Sequence, residues 1–412
     1  MDLREYVSKR CSEYKSGKLL PLMMPTFGPD EILEALDSMT DMQITMGPKV
    51  KMFESAFAGY LGLNHAIMVN SGSSANLLAL SVLSNPALPD RIRPGDEIIV
   101  PAVTWSTTIF PVFNIGAKPV LVDVDSDYLL DIELAKEMIG PKTKAIMPVH
   151  LLGNVCDMKA LSDLAEDHGL FLIEDTCEAL GSETGGRKAG AYSHFSTFSS
   201  YFSHHITTGE GGMLCTSDPR LADLALIMRA HGYTRHSLRR EEYEKENPGI
   251  DPRFLFVNTG FNFRPMEIQG AFGIHQMKKL EGFIGRRIEI GRKMLSGLKP
   301  YEDKLILPRE KPGTRHSWFA FPLTIREGAG FAREDLVAHL EKSGIETRPL
   351  VCGNLADQPA LKYFDFGKSG LSNSENIMRN SLYIGIHPNV SDEAIGKVVE
   401  AFSSFFSKAI KK

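Results

Sequence analysis

Closely spaced cysteines are absent from this sequence: its 412 residues contain five cysteines, and no two of them form a CxC or CxxC pair. A zinc site or a disulfide framework requires paired or closely spaced cysteines. The thiols are therefore expected to be reduced and structural, and no metal site is expected. They are Cys11, Cys156, Cys177, Cys215 and Cys352.

The sequence also lacks a strong excess of one charge and any long hydrophobic run. Its formal net charge of −5 and its isoelectric point of about 6.2 give no electrostatic footprint for nucleic acid. No apolar run approaches the roughly 20 residues of a membrane span, and the first ten residues contain no apolar signal core. We expect a cytoplasmic protein with neither a nucleic-acid nor a membrane partner.

Short apolar runs alternate with helical segments in the first half of the chain. Such strands are apolar on both faces, which predicts a mostly parallel sheet covered by helices on both sides. The runs predicted as strands are residues 65–69, 97–100, 119–123, 145–149 and 171–173.

The pattern changes in the last third of the chain. Residues 266–280 and 284–298 read as two long helices, and residues 317–324 read as a strand. We therefore predict a large α/β domain over residues 1–290, which includes an N-terminal arm, and a smaller α+β domain over residues 291–412.

One charged segment stands out at residues 233–253. A solvated surface loop or helix is the favoured interpretation. The alternative is a partial cover over a substrate site.

Small polar residues follow the predicted strand at residues 65–69. Gly72, Ser73 and Ser74 open the next helix, where free backbone amides and hydroxyl groups form a phosphate cradle. An ordinary helix cap is the alternative.

Two further strand ends carry candidate groups. Asp175 closes a buried strand, where a carboxylate needs a partner, and a capping role is the alternative. Trp105 follows the strand at 97–100 and is one of only two tryptophans, so it is either a flat platform for a ligand ring or a core side chain.

The stretch that contains His204 and His205 organises the chain. It follows a β-rich run, leads into another, and includes three glycines that permit close backbone approach. Ser199 stands five residues before His204. A buried structural histidine pair is the alternative to a catalytic one.

These motifs resemble the nucleotide-sugar aminotransferases, which are fold type I enzymes of pyridoxal phosphate (PLP). The resemblance covers nearly the whole chain, and His204 falls where that family carries its cofactor lysine. Only a small branch has histidine there, the 3-dehydratases that remove a sugar hydroxyl. The matching segments are Val100-Pro-Ala-Val-Thr-Trp105, Thr207-Thr-Gly-Glu-Gly-Gly212 and Gly260-Phe-Asn-Phe-Arg-Pro265.

The resemblance implies the fold of a fold type I PLP-dependent transferase: a mostly parallel central sheet with helices on both faces and a smaller C-terminal α+β domain. It implies that Trp105 lies against the cofactor ring and Asp175 binds the ring nitrogen. Glu178 is expected near the cofactor hydroxyl, or as a helix cap. The residues expected at the cofactor phosphate are Gly72, Ser73, Ser74 and Ser199.

Two further residues are assigned through the same resemblance. Asn262 is expected to reach the cofactor phosphate of a neighbouring subunit, which implies a homodimer with shared active sites. Arg348 is expected to bind a carboxylate or phosphate of the substrate, with a surface salt bridge as the alternative.

Histidine in place of lysine changes the expected reaction, because an imidazole forms no stable Schiff base with PLP. The resemblance implies pyridoxamine phosphate (PMP) as the working cofactor, L-glutamate as amino donor and His204 as base. The expected substrate is a nucleotide-linked 4-keto-6-deoxyhexose, with GDP favoured as carrier and CDP and dTDP open. The expected product is a 3,6-dideoxy-4-keto sugar for a surface polysaccharide.

Other functions remain open at this point. An aminotransferase that works without its lysine is one, and a cofactor-binding protein without catalysis is another. Relatives with an iron–sulfur cluster carry clustered cysteines in the region equivalent to residues 233–240, which contains none here. The cluster-bearing interpretation is therefore disfavoured.

Overall fold

The computed structural model describes residues 1–409, which form thirteen α-helices and fifteen strands numbered here in chain order. The helices are α1 Leu3–Ser12, α2 Pro29–Thr40, α3 Pro48–Leu61, α4 Gly72–Leu83, α5 Ser106–Asn114, α6 Ile132–Glu137, α7 Met158–Asp167, α8 Pro219–Arg229, α9 Arg240–Glu246, α10 Glu267–Leu298, α11 Arg333–Lys342, α12 Ser372–Asn380 and α13 Asp392–Ala409. The strands are β1 His65–Val69, β2 Glu97–Pro101, β3 Lys118–Val122, β4 Thr143–Ile146, β5 Phe171–Asp175, β6 Glu183–Thr184, β7 Arg187–Lys188, β8 Phe195–Ser199, β9 Gly212–Thr216, β10 Leu305–Ile306, β11 Thr314–Arg315, β12 Ala320–Ile325, β13 Thr347–Pro349, β14 Gly367–Lys368 and β15 Ser381–Gly385.

The central sheet has eight strands in the order β1-β9-β8-β5-β4-β2-β3-β14. The strands from β8 to β14 are paired in parallel, and only β9 runs antiparallel to its two neighbours. Nearly every residue of these strands is apolar and buried, whichever face of the sheet it points to. Such strands require helices on both faces of the sheet. The predicted mostly parallel α/β architecture is confirmed.

The five predicted strands all exist; the bounds of the first agree with the prediction, and those of the other four shift by one to three residues. The run at 65–69 is β1, but it pairs antiparallel with β9, with His65 opposite Thr216. Residues 145–149 overlap only the end of β4. The prediction of a strand at 317–324 was partly wrong: β12 begins at Ala320, because Trp318 has a φ of 51°, outside the extended region.

The two long helices predicted after residue 266 are one helix of 32 residues, α10. The helix continues through Gly282 and Gly285, which lie on an open face where an added Cβ would meet no neighbour within 4 Å. The predicted domain boundary at residue 290 falls inside this helix, and the division into domains stays a prediction.

A second, antiparallel sheet with the order β10-β12-β15-β13 lies in the C-terminal part of the chain. The ring of Trp318, fully buried, docks this part onto α10, stacking on His316 at 4.1 Å. A Cβ on Gly291 of α10 would stand 2.6 Å from the indole, so glycine is required for this close approach. No helix within residues 1–409 has the length and apolar character needed to cross a membrane.

Candidate active site

A cavity of about 500 Å³ opens where β1, β2, β5 and β8 end, at the carboxyl edge of the central sheet. Parallel α/β sheets bind ligands at this edge because their loops and helix N-termini converge there. Eight of the predicted site residues line the cavity, although they are spread over 277 positions of the chain: Gly72, Ser73, Trp105, Asp175, Glu178, Ser199, His204 and Arg348.

The phosphate cradle predicted after β1 has the geometry of an anion site. Ser71 caps α4 by accepting a hydrogen bond from the backbone N–H of Ser74 at 3.1 Å. A Cβ on Gly72 would stand 2.7 Å from the Cβ of Ser199, so glycine lets the two segments meet. Within residues 1–409, the backbone N–H groups of Gly72 and Ser73 have no protein acceptor. The helix dipole and these amides favour a phosphate.

Asp175 is buried at the end of β5 and is held by three donors. Its Oδ2 accepts hydrogen bonds from Asn76 Nδ2 at 2.9 Å and Thr108 Oγ1 at 2.8 Å, and its Oδ1 accepts from the backbone N–H of Cys177 at 3.2 Å. These bonds fix a carboxylate that faces the cavity. Asn76 and Thr108 were missed by sequence reasoning, because Asn76 is a single polar residue within an apolar helical run and Thr108 is one of three consecutive hydroxyl residues at the start of α5.

Trp105 precedes α5 and leaves 59% of its surface exposed beside the cavity. Core packing, the alternative considered from the sequence, is therefore wrong. An exposed indole at the mouth of the cavity is a platform for a flat ring.

Glu178 is a half-buried carboxyl group whose Oε2 accepts a hydrogen bond from the backbone N–H of Leu152 at 2.9 Å. Burial, with a smaller contribution from the charge of Asp175, raises the pKa of Glu178 to about 7. The side chain therefore changes protonation near neutral pH, and it lines the cavity instead of capping a helix.

The tautomer of His204 is determined by one hydrogen bond. Its Nδ1 lies 2.6 Å from the carbonyl oxygen of Cys177, which only accepts, so Nδ1 carries the proton. Nε2 then has a free lone pair and, within residues 1–409, no hydrogen-bond partner. Burial lowers the pKa of His204 to about 4, and Phe319 packs edge-on against its ring at 5.0 Å. The ring is thus a neutral base at pH 7.

His205 has the opposite orientation. It is buried, and its Nε2 donates to the carbonyl oxygen of Ser317 at 3.1 Å. Its Nδ1 is buried without a partner, and burial lowers the pKa of His205 well below its usual range. His205 therefore packs its segment against the loop that contains Ser317 and Trp318.

The C-terminal sheet closes one side of the cavity. Arg348 of β13 pairs in register with Tyr383 of β15, and both line the cavity. Arg348 forms no ion pair within residues 1–409, which disagrees with the surface salt bridge considered as its alternative role. Burial raises the pKa of Tyr383 to about 12, with a further contribution from the charge of Glu178. Tyr383 was not predicted, because nothing in its local sequence marks a site.

Two predicted residues lie outside this cavity. The hydroxyl of Ser74 donates to Asn70 Oδ1 at 2.6 Å, so it supports the loop instead of facing the site. Asn262 is exposed and accepts a hydrogen bond from Arg264 Nε at 2.9 Å. The charged segment 233–253 likewise contributes no lining residue among those described.

Known proteins with similar sequences identify the family of this chain. Residues 25–403 match the model of the DegT/DnrJ/EryC1/StrS aminotransferase family. The chain belongs to this family.

Individual proteins and solved structures are also similar to this chain over most of its length. The chain is 41% identical over 376 residues to the GDP-4-keto-6-deoxy-D-mannose 3-dehydratase of Yersinia pseudotuberculosis, covering 89% of this chain and 94% of that protein. It is 36% identical to the dTDP-4-dehydro-2,6-dideoxy-D-glucose 3-dehydratase of Saccharopolyspora spinosa, covering 92% and 85%. A crystal structure of GDP-4-keto-6-deoxymannose-3-dehydratase with a trapped PLP-glutamate geminal diamine superposes with a TM-score of 0.88 at 36% identity, covering 93% and 99%.

The cavity fits the cofactor of these enzymes. The α4 amides and Ser199 provide donors for a phosphate, and Trp105 provides a face for a planar ring. Asp175 provides the fixed carboxylate that a pyridinium nitrogen requires. Within residues 1–409 no lysine lines the cavity, so the amine that would bind the cofactor covalently is missing.

Proposed function

We propose that this protein is a PLP/PMP-dependent 3-dehydratase of a nucleotide-linked 4-keto-6-deoxyhexose, with GDP-4-keto-6-deoxymannose as substrate and L-glutamate as amino donor. The product is a 3,6-dideoxy-4-keto sugar that serves surface polysaccharide synthesis. The observation that carries the proposal is a neutral His204 with a free Nε2 in a cavity that no lysine lines.

Each group of residues in the cavity would bind a different part of the cofactor. The α4 amides with Ser73 and Ser199 bind the phosphate, Asp175 binds the ring nitrogen, and Trp105 covers the ring. When bound, the cofactor supplies an electron sink beside the reacting carbon of the sugar. Because no lysine within residues 1–409 lines the cavity, these contacts would retain the cofactor without a covalent link.

His204 supplies the proton transfers. Nε2 has the free lone pair that accepts a proton, while the Nδ1–H bond to Cys177 holds the ring in place. The protonated ring can return its proton to the departing C3 hydroxyl, which then leaves as water. The negative charge of Asp175 favours the imidazolium while it exists. Among the described residues, no lysine ammonium lines the cavity to deliver a proton to C4 and complete a transamination.

The protein is further proposed to act as a homodimer with shared sites. Asn262 lies outside its own cavity and is exposed, which is consistent with a role at the neighbouring subunit's phosphate. Arg348, exposed and free of an acidic partner within residues 1–409, is proposed to bind the substrate.

An aminotransferase on a similar sugar is the second candidate, because the family as a whole carries that description. Purified protein is incubated with PLP, L-glutamate and GDP-4-keto-6-deoxymannose, and ammonia and product mass are followed together. Dehydration predicts one ammonia released per sugar and a product that has lost one oxygen. A product that retains nitrogen would establish the aminotransferase instead.

Variants of two histidines test whether His204 is the base. His204→Asn removes the base and should lower the rate by about 10²–10⁴-fold. His168→Asn is the matched control, because His168 is exposed at the end of α7, away from the cavity. Equal rates for the two variants would contradict the role proposed for His204.

A further inference from the structure

Arg287 of α10 carries a buried guanidinium that the proposed mechanism does not use. Only 1% of its surface is exposed. Within residues 1–409 no carboxylate pairs with it, whereas Arg229, which is buried to a similar degree, pairs with Glu54 at 2.6 Å. Burial lowers the pKa of Arg287 to about 10, so the side chain remains positively charged at pH 7. A buried charge without a counter-ion is costly, which marks Arg287 as a candidate functional group.

Backbone carbonyl groups take the place of a counter-ion. Nη1 of Arg287 donates to the carbonyl oxygens of Trp318 at 3.1 Å and Phe319 at 3.0 Å. The same nitrogen donates to the carbonyl oxygen of Ile386, just after β15, and Nε is buried without a partner. Carbonyl dipoles carry only partial negative charge, so the field of the cation still reaches its neighbours in the protein interior.

Two of these carbonyl groups belong to the Trp318 loop, defined here as residues 316–319. Trp318 has a φ of 51°, in the left-handed region that bulky residues rarely adopt. Gly291 lies one turn after Arg287 on the same face of α10 and leaves the space in which the indole packs. Arg287 and Gly291 therefore fasten an otherwise unfavourable loop conformation onto α10.

The Trp318 loop is the surface against which the histidine pair packs. The ring of Phe319 lies edge-on against His204 at 5.0 Å and is tilted against His205 at 5.8 Å. The carbonyl oxygen of Ser317 accepts a hydrogen bond from Nε2 of His205 at 3.1 Å. Because Arg287 holds this loop, a change at Arg287 would move the imidazole of His204.

The charge of Arg287 also acts on the histidine pair. Burial, and after it this cation, lowers the pKa of His205. Burial is likewise the largest cause of the low pKa of His204, and the hydrogen bond to the Cys177 carbonyl opposes it. The charge of Arg287 lowers the pKa of His204 by more than the charge of Asp175 raises it.

Other ionisable groups surround these residues. Burial lowers the pKa of His316 to about 3, and burial with a smaller contribution from Arg287 lowers that of His387 to about 3, so both rings are neutral at pH 7. Within residues 1–409, Arg287 and Asp175 are the two charged side chains that shift the pKa of His204. The further ionisable side chains that line the cavity with His204 are Cys177, Glu178, Tyr201, Glu210, Arg348 and Tyr383.

We infer that Arg287 is a positioning residue for His204, which it holds in place through the Trp318 loop while adding a fixed positive charge near the ring. The inference rests on the proposed function, which assigns His204 the proton transfer. A neutral ring can accept that proton, and the positive charge of Arg287 favours its release to the departing hydroxyl afterwards. Arg287 is not among the described residues that line the cavity, so it acts through His204.

An NMR titration of the cofactor-loaded protein tests the inference without turnover. With ¹⁵N-labelled histidine, the signals of His204 are identified by their absence from His204→Asn. Arg287→Gln removes the charge and keeps a side-chain amide that can donate to a carbonyl group. The pKa of His204, about 4 in the unchanged protein, should rise towards the usual value of about 6.5.

Kinetics with GDP-4-keto-6-deoxymannose measure the positioning. A misplacement of about 1 Å can cost about 10²-fold in rate, so kcat of Arg287→Gln should fall by about 10- to 100-fold. KM should change by less than about threefold, because the cavity lining is unchanged. A merely structural role would lower the free energy of unfolding without moving the pKa of His204.

Two further variants complete the experiment. Arg286→Gln is the matched control, because this adjacent arginine pairs with Glu289 and Asp392, each at 2.7 Å, and should leave both kcat and the pKa of His204 unchanged. If Arg287→Gln does not fold, Arg287→Lys keeps a long side chain but lacks the planar guanidinium, and should still lower kcat. An unchanged kcat in either folded Arg287 variant would overturn the inference, as would an unchanged His204 pKa in Arg287→Gln.

Failure of the proposed function would give a different result. A product that retains nitrogen would refute the dehydratase, yet the NMR titration would still decide whether Arg287 controls the protonation of His204. Dehydration by the unchanged protein, with the same His204 pKa in Arg287→Gln, would keep the proposed function and reject the role of Arg287.

Discussion

The strongest test of the site is the pH dependence of the base. A histidine with the usual pKa of about 6.5 is only about 9% neutral at pH 5.5. With the pKa of His204 at about 4, the same group is about 97% neutral at that pH. The acid side of the kcat/KM profile should therefore remain within about twofold of its maximum at pH 5.5, where an ordinary histidine would lose about tenfold.

Glu178 must be separated from His204 in this profile, because its pKa of about 7 lies inside the measured range. Glu178→Gln removes that titration and keeps the size of the side chain. Any step in the wild-type profile near pH 7 should vanish in this variant, while the plateau down to pH 5.5 should remain.

The assay follows ammonia release from GDP-4-keto-6-deoxymannose between pH 5 and 8, with circular dichroism recorded at each pH to confirm folding. We expect a plateau because burial disfavours the imidazolium and the Cys177 carbonyl holds the neutral ring. A loss of activity centred near pH 6.5 in Glu178→Gln would refute it. That result would mean that His204 is solvated as in a free peptide.

Three further predictions concern cofactor binding and stability. Gly72→Ala places a Cβ 2.7 Å from Ser199 and should lower PLP affinity at least tenfold in an absorbance titration, while Gly282→Ala, on an open helix face, should not. Trp318→Ala empties a fully buried site and should cost about 3–5 kcal/mol of unfolding free energy, measured with urea. Burial lowers the pKa of His316 to about 3, so as the pH falls the unfolded chain binds a proton at this residue before the folded chain does. The free energy of unfolding should therefore fall by up to about 1.4 kcal/mol per pH unit as the pH decreases from about 6.5 towards 3. Urea unfolding at each pH measures it.

The sequence was most informative where a pattern is local. The apolar run at residues 65–69 could be located to the residue, because period and burial act along one element. The antiparallel insertion of β9 could not be predicted, since strand order depends on distant pairing. The break expected near residue 282 failed because a glycine costs an exposed helix only about 1 kcal/mol, less than the packing of α10 provides.

Some residues of the candidate site could likewise be proposed from the sequence, and others could not. Asp175 could be proposed because it ends a strand, and strand ends meet at one edge of a parallel sheet, whereas Ser199 was assigned through the family resemblance. Asn76 and Thr108, which hold Asp175, lie within helices, and Tyr383 comes from the other sheet. Their contribution depends on tertiary contacts that no local pattern encodes.

Adjacent histidines illustrate what only the structure can decide. His204 and His205 have the same chemistry, yet each ring donates to a different carbonyl through a different nitrogen. The donor of His204 is Nδ1, which leaves Nε2 open to the cavity, whereas the donor of His205 is Nε2, which leaves Nδ1 sealed in the protein. Proton exchange with a substrate requires access as well as a lone pair. Of this pair, only His204 meets both conditions, so the backbone carbonyl of Cys177 determines which histidine is the base.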